Sequence, residues 1–293
     1  MIEKIVCAYS LSNALKMVEC GDTPLISRIP LHKLFERARR IYHGAFDFDG
    51  TLIPGSQWKA TSTLMPPSLA AQDEENRAIY WKQKHEQPIR PDLVDLEDPD
   101  WFHGGFYPEN LKVMDGAWIA ETIRLYSEAR ITRAQIAEVA KTLHPREGAL
   151  ELLQAMEKRV IITFGIEQLI QDWVEHHQVH PTSVAASRLK FNEENRVHGC
   201  HINLVASHTK KCAVERFREV GKIDGENLLV MGDSVVDVHM MGTDSFNVLI
   251  VPPNELDRKL ADFREGNLAS MWDRITLILA SDSLIPFLNL LNV

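Results

Sequence analysis

A chain of 293 residues, 45% of them hydrophobic, carries enough apolar content for one large core or two modest ones. Its net charge of −9 and pI near 5.7 argue against a nucleic-acid polymer or an anionic membrane as the main partner, though a local basic patch could still bind phosphate. Cys7, Cys20, Cys200 and Cys212 lack any CxxC spacing, no run approaches the roughly 18 apolar residues of a membrane span, and no signal-like apolar core follows Glu3 and Lys4; the expectation is a cytoplasmic globular protein with free thiols.

In chain order, residues 1–40 read as helical, with Leu31, Leu34 and Phe35 spaced for one face. The run Ile41-Tyr42-His43-Gly44-Ala45-Phe46 then has the shape of a buried strand, ending in Asp47-Phe48-Asp49-Gly50-Thr51-Leu52. From residue 53 to 143 the character changes to segments that read as helical at 69–86, 109–129 and 133–142, the first two joined by a Pro- and Asp-rich connection at 87–108, with nothing that alternates like a strand. This stretch is too long for a simple crossover between parallel strands and predicts an inserted helical cap.

The α/β rhythm resumes at Pro145 with a helix through Lys158, the strand Val160–Thr163 and a helix from Ile166 to His177. Residues 184–203 read as a hairpin around Asn192-Glu193-Glu194-Asn195 or as an extension of the sheet. A helix over Cys212–Val220 and the strands Leu228–Met231 and Val248–Val251 follow, and the last forty residues read as helical. Alternating strands and helices predict an α/β core with a mostly parallel, Rossmann-like sheet, built from residues 1–52 and 144–293, around the cap at 53–143.

Four places in this pattern carry chemistry. Asp47 and Asp49, one residue apart where a buried strand ends, can reach one pocket and divide the work of nucleophile and proton carrier. Thr163 ends a strand just before Phe164-Gly165 and a helix start, which suits phosphate oxygens or equally a helix N-cap. Lys210-Lys211 leads a helix, where a lysine can neutralise an anion or simply be solvated. Gly232-Asp233-Ser234-Val235-Val236-Asp237 again ends a buried strand in acids, whose oxygens suit Mg2+.

Taken together and in this order, Asp-x-Asp, Thr, Lys and Gly-Asp-x-x-x-Asp over about 41–251 resemble the signatures of the haloacid-dehalogenase-like hydrolase superfamily. The resemblance implies a Mg2+-dependent phosphatase of small phosphorylated metabolites. Asp47 would form an aspartyl-phosphate, and Asp49 would protonate the leaving group and then activate water. Asp47, the Asp49 carbonyl and Asp233 would hold Mg2+. Thr163, Phe164, Gly165 and Lys211 would bind phosphate, Lys211 being preferred to Lys210 because Val214 then falls three residues on. Asp237 would orient the metal's surroundings or Lys211. Dehalogenases of the superfamily lack the second acid, so Asp49 favours phosphate.

Within the superfamily, Thr163-Phe164-Gly165-Ile166-Glu167-Gln168-Leu169-Ile170, Phe191-Asn192-Glu193, Ser207-His208-Thr209 and Gly232-Asp233-Ser234 with Met240 are similar to the eukaryotic-type cytosolic pyrimidine 5'-nucleotidases. The departures are Asp49-Gly50-Thr51 where that family has Asp-Met-Thr, and Thr163 where it has Ser. The resemblance implies a nucleoside 5'-monophosphate as substrate and Glu86 as the match to that family's base-contacting glutamate. Phosphoserine phosphatases share the same core and cap position and stay an alternative, as do a phosphotransferase and a non-catalytic phospho-ligand-binding protein. Trp58, Trp81, Trp101 and Trp118 read as packing within the cap rather than a base stack. His176, His177, His180, His198, His201 and His208 show no metal-ligand spacing. The oligomeric state has no signature in the sequence.

Overall fold

The computed structural model describes residues 5–8, 25–83, 94–95, 117–201, 207–234, 236–261 and 271–292. Their elements are β1 (Ile5–Cys7), β2 (Leu25–Ser27), α1 (Leu31–Ala38), β3 (His43–Phe46), α2 (Gln57–Ser62), α3 (Pro67–Gln83), β4 (Val94–Asp95), α4 (Ala117–Glu128) and α5 (Arg133–Thr142). Then come α6 (Ala149–Ala155), β5 (Lys158–Ile166), α7 (Glu167–His176), β6 (Ser183–Phe191), β7 (Val197–His201), α8 (Ser207–Gly221), β8 (Leu228–Gly232), β9 (Phe246–Ile250), α9 (Leu256–Ala261), β10 (Leu277–Leu279) and α10 (Ile285–Leu291). Two compact units emerge, one of residues 1–54, 145–161 and 217–293, the other of 55–144 and 162–216.

The first unit is built on a mixed, mostly parallel sheet in the order β1-β2-β10-β9-β8-β3-β5. Strands β10, β9, β8, β3 and β5 run parallel, and only the β2–β10 pairing is antiparallel. Ala45, Phe46, Leu229, Val230 and Met231 are fully buried, the near-continuous apolar run expected of central parallel strands covered on both faces. The register sets Phe46 beside Met231, and the Asp47 N–H donates to the Met231 carbonyl at 3.0 Å. The chain therefore leaves β3 and β8 side by side. Asp47 and Asp233 are delivered to the same edge by strand pairing alone.

The second unit holds the antiparallel β6–β7 hairpin, with β4 parallel to β7. Helix α4 packs on β7, α7 on β6, and α5 on α7. A capping box fixes the start of α5: the Thr132 hydroxyl accepts the Gln135 N–H at 3.3 Å, and the Gln135 side chain accepts the Thr132 N–H at 2.9 Å. Trp58 and Trp118 meet edge to face at 5.0 Å and are both buried, beside Tyr126, whose hydroxyl bonds that of Thr61. These two tryptophans are core. The side chain of Trp81 and all of Trp101 lie outside the described residues. Trp173 is fully buried in α7 and donates Nε1–H to the Leu143 carbonyl at 2.8 Å.

Several expectations change. The N-terminal segment is not uniformly helical, because β1 and β2 are strands of three residues, too short to show alternation; residues 9–24 lie outside those described. The C-terminal stretch likewise contributes β10 to the sheet. The insert contains the two-residue strand β4 and the short helix α2, neither long enough to leave a periodicity. Residues 84–93 and 96–116 lie outside those described. The chain passes between the units at Pro54–Gly55 and His144–Pro145, and residues 162–216 group with the insert, since β6, β7 and α7 pack against α4 and α5.

No helix among the described residues is long and apolar enough to cross a membrane. Trp173→Ala removes a fully buried indole and its bond to Leu143, and should lower unfolding stability by about 3–5 kcal/mol. The urea midpoint measured at fixed slope checks it.

Candidate active site

The first unit gathers three carboxylates. Ligand oxygens of Asp47, Asp233 and Asp237 lie within 4.8 Å of one another, with Asp47 and Asp237 buried. Among the described residues no histidine or cysteine joins such a group. Two carboxylate charges about 5 Å apart repel by roughly 3 kcal/mol at an effective dielectric near 20, so the cluster needs positive charge or donors around it. An all-oxygen donor set of this kind fits a hard divalent cation such as Mg2+.

The three acids are not equivalent. One oxygen of Asp237 accepts the N–H groups of Asp233 and Ser234 at 3.2 and 3.0 Å and the Ser234 hydroxyl at 2.6 Å. Asp237 therefore ties the loop after β8 back on itself. A Cβ on Gly232 would fall against the side chain of Asp237, which is why a glycine ends that strand. Asp233 is half-buried and meets Lys259 of α9, whose Nζ donates to Oδ2 at 2.8 Å and also to the Asp233 backbone carbonyl. Lys259 has no counterpart in the sequence-level pattern, because nothing local marks a helix residue 26 positions downstream.

Asp49 stands on a tight turn. Gly50 has φ +75°, and a Cβ there would come within 2.6 Å of Cγ of Asp233, so both backbone and space require glycine. The Phe48 carbonyl accepts the N–H groups of Thr51, Leu52 and Ile53 at 3.3, 3.0 and 3.1 Å. From the other side Arg146, only 3% exposed, donates to the carbonyls of Gly50 at 2.6 Å, Thr51 at 2.8 Å and Asp282 at 3.0 Å. Burial draws the Arg146 pKa below its usual value, while the nearby charges of Asp233 and Asp282 push it back up.

The second unit carries the other expected positions. Thr163 is buried near the end of β5, and its hydroxyl accepts the Gly165 N–H at 3.1 Å. It does not cap α7, whose N-cap is Ile166. Gln57, the fully buried first residue of α2, accepts the Ile166 N–H at 2.7 Å and fills the space where a Cβ on Gly165 would sit. Gln57 thus shapes the Thr163–Ile166 segment, a role no short-range motif announces.

The two adjacent lysines differ in burial. Lys211 is exposed and pairs with Glu215 at 3.5 Å, one turn along the helix. Lys210 is 3% exposed, with Nζ 5.0 Å from the centre of the Phe164 ring. The reason is helical phase: Lys210, Ala213, Val214 and Phe217 share the buried face of α8, which puts position 211 outside. Val214 thus follows the inward lysine by four residues, not three. Glu86 lies outside the described residues.

Among solved structures, a phosphoserine phosphatase determined as a phospho-aspartyl intermediate analogue aligns with 85% of this chain and 98% of its own at TM-score 0.59 and 12% identity. Cytosolic 5'-nucleotidase IIIB bound to cytidine aligns with 95% of this chain and 96% of its own at TM-score 0.57 and 14% identity. A HAD-family hydrolase from Salmonella enterica serovar Typhi covers 71% of this chain and 62% of its own at TM-score 0.52 and 16% identity. No curated protein matches the sequence. At such identities the likeness is one of fold, the Rossmann-like α/β arrangement of this superfamily. The model of the haloacid dehalogenase-like hydrolases, in contrast, matches residues 45–242 in sequence, from within β3 to past Asp237, and the chain belongs to that family.

Proposed function

We propose that this hydrolase cleaves small phosphomonoesters with the help of Mg2+, and that its substrate is a nucleoside 5'-monophosphate. The observation that carries the reading is the meeting of Asp47, Asp233 and Asp237 at the ends of two adjacent parallel strands, with Asp49 two residues beyond the first. A carboxylate of Asp47 attacks phosphorus while the ester P–O bond breaks, and Asp49 gives its proton to the departing alkoxide. Asp49, now ionised, takes a proton from the water that attacks the aspartyl-phosphate, releasing inorganic phosphate and restoring Asp47. Asp47, Asp233 and the Asp49 carbonyl would hold Mg2+, which supplies the positive charge that lets an anionic nucleophile meet a phosphate dianion. In this reading Thr163, the Phe164–Gly165 backbone and Lys210 bind the phosphate oxygens, with Lys210 taking the part first assigned to Lys211.

The substrate class rests on the sequence likeness around Thr163 and Gly232-Asp233-Ser234. It is supported by the extent of the nucleotidase alignment, 95% of this chain against 85% for the phosphoserine phosphatase. Phosphoserine is the competing substrate, and a test panel separates the two.

Asp47→Asn should reduce turnover of p-nitrophenyl phosphate to background with the fold unchanged by circular dichroism, since the amide is nearly isosteric but a poor nucleophile. Wild-type rates in that variant would remove Asp47 from the mechanism. Exhaustive chelation should silence the protein and Mg2+ restore it. Asp233→Asn should raise the Mg2+ concentration for half-activation further than Asp237→Asn, and the opposite ranking would exchange their roles. A nucleoside 5'-monophosphate should exceed ribose 5-phosphate in kcat/KM by about 10-fold or more, as expected of some 1.4 kcal/mol of binding to the base. A preference for phosphoserine would overturn the nucleotide reading and keep the phosphatase.

A further inference from the structure

In the turn from Asp49 to Ile53, backbone polar groups of residues 50–53 converge on two partners, Phe48 and Arg146. The N–H groups of residues 51, 52 and 53 all converge on the Phe48 carbonyl. The carbonyls of residues 50, 51 and 52 all converge on Arg146: Gly50 and Thr51 on its guanidinium, Leu52 on its backbone N–H at 2.7 Å. Buried backbone groups need such partners. The third arm of the guanidinium bonds the carbonyl of Asp282, just before α10, so the clamp is itself anchored on a different element. No carboxylate bonds Arg146 directly among its contacts with this turn. A buried cation is thus spent on backbone carbonyls, a costly arrangement for mere loop closure.

The two acids of the motif are held differently. Asp47 is anchored by strand pairing through its N–H bond to Met231. Asp49 stands beyond the strand, immediately before the left-handed Gly50, and the orientation of its peptide is set by the turn. We infer that Arg146 is a positioning residue for Asp49, aligning the acid with the leaving group by clamping the Gly50 and Thr51 carbonyls. The inference rests on the reading of Asp49 as proton donor. It goes beyond that reading in assigning the donor's alignment to a side chain nearly a hundred residues away. An error of an ångström at a proton donor costs catalysis heavily, and it costs most where the departing group most needs the proton.

The test is kcat/KM, which reports the first chemical step, across p-nitrophenyl phosphate, phenyl phosphate and an alkyl phosphate at saturating Mg2+. Arg146→Lys keeps the charge without the fork, and Arg146→Gln keeps an amide donor without the charge. Asp49→Asn runs alongside. Either Arg146 variant should lose about 10-fold or more on the alkyl ester and under about 3-fold on p-nitrophenyl phosphate, in the same order as Asp49→Asn. The lysine variant should be the less impaired of the two. A uniform loss, or none, in both Arg146 variants while Asp49→Asn remains selective overturns the inference and leaves the acid reading standing. A uniform loss in Asp49→Asn overturns the acid reading, and the inference falls with it. Failure of both Arg146 variants to fold, read by circular dichroism, makes the residue a stability element and also overturns the inference.

Discussion

Crowding of like charge at the ends of β3 and β8 is the constraint around which this molecule is organised. Parallel pairing of Phe46 with Met231 places the residues that follow each strand side by side, and in both cases those residues include acids. The result is three carboxylates whose oxygens fall within 4.8 Å, two of them buried. Left alone, such a cluster would protonate or push the strand ends apart. Much of the surrounding detail can be understood as what prevents that.

The compensation is distributed by kind. Asp237 is satisfied by neutral donors of its own loop, which converts a charge into a loop fastener. Asp233 is met by the Lys259 ammonium, which grips both its side chain and its backbone. Glycines at 50 and 232 remove the Cβ atoms that would otherwise press against Asp233 and Asp237. The buried guanidinium of Arg146 adds positive charge nearby without bonding any of the three acids in the contacts described. A donor set made wholly of oxygens would also accept a divalent cation.

What was legible in the sequence follows from range. The strand before Asp47, the strand before Asp233 and the acids that end them are local, apolar runs followed by glycine, and they sit where pattern placed them. Helices α5 and α7 were equally plain, because a capping box or a strand end marks the start of each. The strands β1, β2 and β10 were invisible, since three residues are too few to show a periodicity and the β2–β10 pairing joins segments from opposite ends of the chain. Which of Lys210 and Lys211 faces inward was not legible from spacing to a single residue, because the buried face of α8 is defined by Lys210, Ala213, Val214 and Phe217 together. Gln57, Arg146 and Lys259 could not be found at all, because each acts on backbone far from it in the chain.

Gln57 has a consequence for how this fold can change over time. Its side chain occupies the space beside Gly165 and bonds the backbone at Ile166, so the first turn of the inserted segment forms part of the wall behind the Thr163 loop. An insert tied in this way is not a cassette. Trimming residues 55–144 to a short linker would remove the amide and leave a cavity behind Gly165, so a larger residue could settle there and reshape the loop. Lineages that lose or exchange this insert should therefore drift at position 165 as well. The glycine and the glutamine are physically one unit, although the bond that joins their segments, from Ile166 to Gln57, spans 109 positions of chain.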